Sequence, residues 1–218
     1  MTRTDQTTLR SRLRRGLLGA GVLLAIGALS APDGVDASVR TTSAAIADEA
    51  DRALEAFEQW EADRNPADYV RFVQRREAAA AMTASELELD AVALRSEWAS
   101  APIEKQQAVL AAMSQLGVPY KSIASEPGVG FDCSGLTIWA FAQAGLEIPR
   151  SSGDQFRAAG RIDLAEAEPG DFVYYPGHIS IYLGVGTMVH SPNSGNHVEA
   201  VTLPTKRSVD FADPFSDD

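Results

Sequence analysis

The sequence predicts an α+β fold: a helix beginning at the lone cysteine packs on an antiparallel β-sheet, with a helical segment in front. Three observations carry this. Residues 41–100 are rich in Ala and Glu, lack glycine, and place apolar residues at three- and four-residue steps. From Pro102 onward Gly and Pro cut the chain into separate elements. After residue 170 those elements are short β-like runs that follow one another, as in hairpins.

The 218 residues suit one domain, or one domain with an appendage. A single cysteine excludes intramolecular disulfides and cysteine-rich zinc modules. The formal net charge of −11 excludes a sequence-independent nucleic-acid binder, which needs a basic surface.

Residues 1–37 read as a leader. Arg3, Arg10, Arg12, Arg14 and Arg15 precede an uncharged apolar run from Leu17 to Leu29. That run is too short for a membrane span, which needs about 20 residues, and suits a signal-peptide core. Cleavage fits after Ser30 or after Ala37; Arg14-Arg15 also fits a twin-arginine signal, so the export route stays open. The expected location is secreted, with no membrane span left after cleavage.

Residues 38–100 form the expected helical segment. Ile46, Ala50, Ala53, Leu54, Phe57 and Trp60 share one face. Asn65 followed by Pro66 marks a second helix start. A third helix is expected from near Ser85, with Leu94 and Trp98 on its apolar side. These helices either pack on the domain behind them or serve as a stalk, an inhibitory pro-region or a surface for partner docking through residues 41–100.

The domain of residues 101–204 opens with a helix from Ile103 to Leu116, stopped at Gly117. A loop leads to a helix from Cys133 to Ala144, closed by Gly145. Strands are expected at Phe172 to Tyr175, Ile179 to Leu183, Met188 to His190 and His197 to Leu203. Residues 205–218 are expected to form an acidic C-terminal tail with a frayed end.

Cys133 falls in the first turn of an apolar helix, where unpaired backbone N–H groups favour a thiolate. A thiol kept in an oxidising compartment, flanked by polar Asp132 and Ser134, suits a nucleophile in a cleft better than a core residue. His178 starts a strand in which Ser180 and Tyr182 share its face. The return strand carries His190. A two-residue hairpin loop would put His190 on the opposite face. A three-residue loop over Gly184 to Gly186 pairs Ser180 with His190 and brings the two histidines within side-chain reach. The three-residue register is the expectation. His190 then orients His178, with His197, Asn193 and Asn196 as competitors. A zinc site of Cys133, His178 and His190 is the metal-based alternative, but no local pair such as H-x-x-x-H supports it. No metal and no cofactor are expected.

In this order the chain carries Gly117-Val118-Pro119-Tyr120, then Phe131-Asp132-Cys133-Ser134-Gly135-Leu136, then Ile148-Pro149-Arg150-Ser151-Ser152 with Gln155. Pro169-Gly170-Asp171-Phe172-Val173, His178 to Gly184 and His190-Ser191-Pro192 follow. Residues 103–203 thereby resemble the NlpC-type family of secreted cell-wall cysteine peptidases, which implies a papain-like domain located in the cell wall or a periplasm-like extracytoplasmic space. The resemblance implies thiolate attack and an acyl-enzyme, with peptidoglycan stem peptides as partner and D-γ-glutamyl–diaminopimelate as the bond. It implies Cys133 as nucleophile, His178 as base and His190 as orienter. Tyr120 would line the oxyanion region, and Asp132 and Ser134 would contact the substrate. One departure stands out: the family follows Pro-Tyr with an aromatic residue and two glycines, where this chain has Lys121-Ser122-Ile123-Ala124. The alternative function is a non-catalytic wall-binding or docking protein on the same fold.

Overall fold

The structure, a computed structural model, describes residues 34–216. The expected leader lies outside the described residues up to position 33, and its last four positions fall in the first helix. Among the described residues, no helix is long and apolar enough to cross a membrane.

Three helices form the leading segment. α1 spans Gly34–Asp63 and α2 spans Pro66–Glu86. Asn65 caps α2 by accepting the Ala67 N–H at 3.1 Å, with Pro66 in the first turn as expected. α1 and α2 pack through their apolar stripes, with Phe57 and Phe72 ring centroids 5.0 Å apart. α3 spans Ala91–Ser100. It starts later than expected because Asp90 is the residue that caps it, accepting from Val92 and Ala93; Ser85 still belongs to α2.

α4 (Ile103–Met113) is buried along most of its length. A short hairpin of β1 (Ser125–Glu126) and β2 (Gly130–Phe131) leads into α5 (Cys133–Gln143), which packs beside α4. α6 (Ser152–Arg157) is a short helix capped by Ser151. The remaining strands are β3 (Gly160–Ile162), β4 (Phe172–Tyr175), β5 (His178–Gly184), β6 (Thr187–His190), β7 (Glu199–Thr202) and β8 (Asp210–Asp213). They form one antiparallel sheet in the order β3-β8-β4-β5-β6-β7.

The α+β architecture agrees with the sequence expectation. One core runs from Ile46 and Phe57 in α1 through Leu110 in α4 and Phe141 in α5 to Ile179 and Ile181 in β5. It is continuous across residue 100, so the leading helices pack on the domain behind them. Part of the expected C-terminal tail is a strand: residues 210–213 are β8, inserted between β3 and β4 with Phe211 and Ala212 buried. Phe211 joins Val173, Tyr182 and Met188 in a second apolar cluster on the opposite face of the sheet. That cluster explains why every residue of β5 is buried, including those of its more polar face.

Candidate active site

α5 begins at Cys133, a half-buried free thiol. Asp132 sets that position. Its Oδ1 caps the helix by accepting the Gly135 N–H at 2.7 Å, and its Oδ2 accepts the Ile123 N–H at 2.8 Å. The loop of residues 121–124 therefore lies against the first turn of α5. Gly135 is required there: a Cβ would stand 1.9 Å from the Ala124 carbonyl oxygen. Behind α5, buried Gln155 accepts from Thr137 Oγ1 at 2.8 Å and donates to the Ser134 carbonyl at 3.1 Å, fixing the same turn.

The histidines come from the β5–β6 hairpin. Ile181 faces Val189 and Tyr182 faces Met188, the register that sets Ser180 opposite His190. The route to that register differs from the expected loop. The tip is a two-residue turn at Val185 and Gly186, both with positive φ (47° and 69°). A bulge between Tyr182 and Gly184 then shifts the pairing by one residue. His178 Nε2 consequently stands 2.9 Å from His190 Nδ1, with both rings buried. One nitrogen donates and the other accepts, so the two tautomers are coupled.

One hydrogen bond ties this hairpin to the cysteine loop, and a ring contact ties it to β4. Ser191, next to His190, donates its hydroxyl to the Phe131 carbonyl at 2.7 Å, two residues before Cys133. Tyr175 lies opposite His178 in the β4–β5 pair, and their rings stack with centroids 4.8 Å apart. Burial raises the Tyr175 hydroxyl pKa; Arg207 opposes that shift and the Cys133 charge adds to it. Burial, then the His190 and Arg207 charges, pushes the His178 imidazole down to about 4.

Residues 117–210 match the NlpC/P60 family. This part of the chain belongs to the NlpC/P60 family. A probable endopeptidase of Mycobacterium tuberculosis is 40% identical over 109 residues, covering 49% of this chain and 28% of that protein. The peptidoglycan endopeptidase RipB of the same species is 44% identical over 101 residues, covering 39% of this chain and 42% of RipB. The bifunctional muramidase/DL-endopeptidase CwlT of Bacillus subtilis is 41% identical over 92 residues, covering 38% of this chain and 28% of CwlT. The chain thus spans about a quarter to two fifths of the length of these curated relatives.

Within the NlpC/P60 segment, Tyr120 is half-buried beside the cysteine loop. Its N–H donates to the Asn196 carbonyl at 2.8 Å, and it bridges to Phe131. Asn193 and Asn196 bond each other, and His197 bridges to Pro119. These three residues therefore shape the Tyr120 edge, while His190 alone of the four meets His178. Asp132 and Ser134 already have partners. Arg150 donates to Asp132 Oδ2 at 2.6 Å and to Ser134 Oγ at 2.7 Å. The bond to Asp132 is the largest cause holding Arg150 still more firmly protonated than usual. Among the described residues, no group of three or more His, Cys, Asp or Glu side chains is arranged to hold a metal ion.

Arg150 and Ser191 lie in the motifs of the sequence, which by itself gives neither a role. Their partners are far away in sequence and only the fold shows them. Glu199 was missed altogether. It faces His190 across β6 and β7, and a glutamate alternating along a half-exposed strand looks like an ordinary solvated residue.

Proposed function

We propose that the protein is a secreted cysteine peptidase that hydrolyses amide bonds in peptidoglycan stem peptides, at the D-γ-glutamyl–diaminopimelate link. The observation that carries this reading is the His178–His190 pair at 2.9 Å, joined to the cysteine loop by Ser191. The similarity to RipB, a peptidoglycan endopeptidase, and to CwlT, a muramidase/DL-endopeptidase, supports the substrate class and the type of bond.

In this reading the Cys133 thiolate attacks the scissile carbonyl, and the electrons move onto its oxygen. The Cys133 N–H and Tyr120 face that oxyanion; losing one such donor typically costs ~10²–10³ in rate. His178 takes the thiol proton and returns it to the leaving amine as the C–N bond breaks. Water, deprotonated by His178, then cleaves the acyl-enzyme. His190 holds the His178 ring. Arg150, Asp132 and Ser134 fix the helix start, and any substrate contact by Asp132 or Ser134 forms beside that network. The leader at residues 1–37 supplies export.

The test is mass spectrometry of muropeptides released from purified cell wall by the wild type and by Cys133→Ala. The expected result is new stem-peptide fragments from the wild type alone, lost after iodoacetamide treatment. Equal product from Cys133→Ala overturns the reading, and wall binding by both proteins without product release would favour the non-catalytic alternative.

A further inference from the structure

The buried His190 ring has a second nitrogen that the pair with His178 does not use. His190 Nε2 lies 3.3 Å from Glu199 Oε1. The contact is long and imperfectly aligned, and Nε2 has no other partner although it is buried. Glu199 is the cross-strand neighbour of His190, so the β6–β7 register itself delivers the carboxylate to that nitrogen. The approach to His190 holds the Glu199 carboxylate below its usual range against the opposing effect of burial.

We propose that Glu199 is a positioning residue: its carboxylate takes the Nε2–H of His190 and thereby fixes the tautomers of both histidines. The logic is a chain of donors and acceptors. With Nε2 protonated toward Glu199, neutral His190 presents a bare Nδ1. His178 must then donate its own Nε2–H to that nitrogen. This leaves the His178 Nδ1 lone pair as the free base of the ring. Without an acceptor at Glu199, the His190 proton can move to Nδ1 and donate to His178 Nε2. The His178 proton then sits on Nδ1, and the base is lost. Catalytic contacts that are long in a free enzyme commonly tighten once substrate is bound. The other charged or titratable groups near the pair are His197 before β7, Arg207 after it, Tyr175 on β4 and Cys133. None of them reaches His190 Nε2, because that atom has no partner besides the Glu199 contact.

This inference rests on the peptidase reading for its kinetic arm only. The experiment compares the full chain with Glu199→Gln by long-range 1H–15N NMR of the histidine rings and by muropeptide release. Gln keeps the volume but presents an NH2 that favours the wrong tautomer, as an amide does in place of a triad carboxylate. The expected result is Nε2–H for His190 in the wild type and Nδ1–H in Glu199→Gln. The kcat should fall about 10- to 100-fold with KM and unfolding midpoint unchanged, the size typical of losing an orienting partner. Glu199→Asp should restore the wild-type tautomer and part of the rate. An unchanged tautomer in Glu199→Gln overturns the proposal whatever the rate does, and so does a changed tautomer with wild-type kcat. If neither protein releases muropeptides, the NMR arm still decides the tautomer while the peptidase reading fails by itself.

Discussion

His178 Nε2 and His190 Nδ1 are 2.9 Å apart on neighbouring antiparallel strands, with both residues largely buried. A ring held this way cannot rotate without breaking a buried hydrogen bond. His190→Ala should therefore leave binding intact but reduce kcat by about 10²–10⁴, the range for losing effective general-base action. The rate of Cys133 alkylation by iodoacetamide at neutral pH should fall as well. Steady-state muropeptide release and thiol labelling check both, and wild-type labelling in His190→Ala would contradict the role.

The pH dependence of stability follows from two buried groups with opposite signs. The His178 imidazole lies at about 4, below its usual 6.5. The unfolded chain binds more protons across that window, so this contribution is lost as pH falls from about 6.5 to about 4. Asp171 works in reverse. Burial, its largest cause, lifts its carboxyl from 3.8 to about 6. The folded state therefore holds the extra proton, and stability gains as pH falls through that range. Each full span amounts to about 3 kcal/mol, so the two largely cancel. His178→Phe should expose the Asp171 slope: the variant should grow more stable as pH drops from about 6 toward about 4. Urea midpoints across that range check it, and an unchanged slope would refute it.

The sequence made the site more legible than its surroundings. Cys133, His178 and His190 carry local signals: a helix start, strand alternation and a glycine-containing turn. The hairpin register followed from those signals, yet the bulge that produces it did not. Beside that bulge Glu97 accepts the Val185 N–H at 3.0 Å from 88 residues away, a partner that local sequence does not reveal. β8 was illegible for a similar reason. Only two of its four residues are buried, and a short strand with acidic ends reads as a tail until β3 and β4 supply both edges. The leading helices were legible as helices, but whether they dock on the domain was a tertiary question. Trp98 answers it from its contact with β5.

The Lys105 ammonium is buried among three carboxylates: Asp171 at 2.6 Å, Glu168 at 2.8 Å and Asp213 at 3.2 Å. It ties α4 to β8 and to the turn before β4. Burial lowers its pKa, but those partners together more than offset this and raise it above the usual lysine value. Asp171 is 0% exposed, and Lys105→Met would leave it without a cation. The expected loss is about 3–5 kcal/mol, or roughly 10 °C in Tm for a chain of this size. Without the ammonium the Asp171 pKa rises further above its value of about 6, so the loss should shrink as pH falls toward about 6 and level off below it. Lys105→Met with Asp171→Leu should recover part of it. Calorimetry of the single and double variants checks this, and an unaffected single variant would count against it.

Ile123 sits at φ 58° and is 85% exposed. A β-branched residue in the left-handed region costs about 1–2 kcal/mol, and nothing is gained here by burying its side chain. Its N–H still serves, donating to Asp132, and any residue but proline keeps that donor. Ile123→Gly should raise stability by about 1 kcal/mol after the extra chain entropy of glycine is subtracted. A lower Tm would show that the exposed side chain has a partner of its own.

The last expectation concerns how the leading helices reach the chemistry. Trp98 in α3 donates its indole N–H to the Leu183 carbonyl at 2.7 Å, and its ring is buried. Beside it, Glu97 holds the Val185 N–H, where Val185 has a positive φ that a β-branched residue rarely adopts. α3 thus clamps the turn whose bulge sets His190 opposite Ser180. Trp98→Ala should cost about 3–5 kcal/mol through the cavity it leaves. Glu97→Ala removes one hydrogen bond at the turn and should cost only about 1 kcal/mol. The distinction lies in activity. If α3 only contributes burial, Glu97→Ala should keep full kcat at temperatures where it is folded. If it enforces the register, Glu97→Ala should lower kcat severalfold in folded protein, and the His178–His190 hydrogen bond should weaken in the same NMR spectra. The strained Val185 and the bulge beside it favour the second outcome, because an unclamped turn would relax toward the register that separates the two histidines.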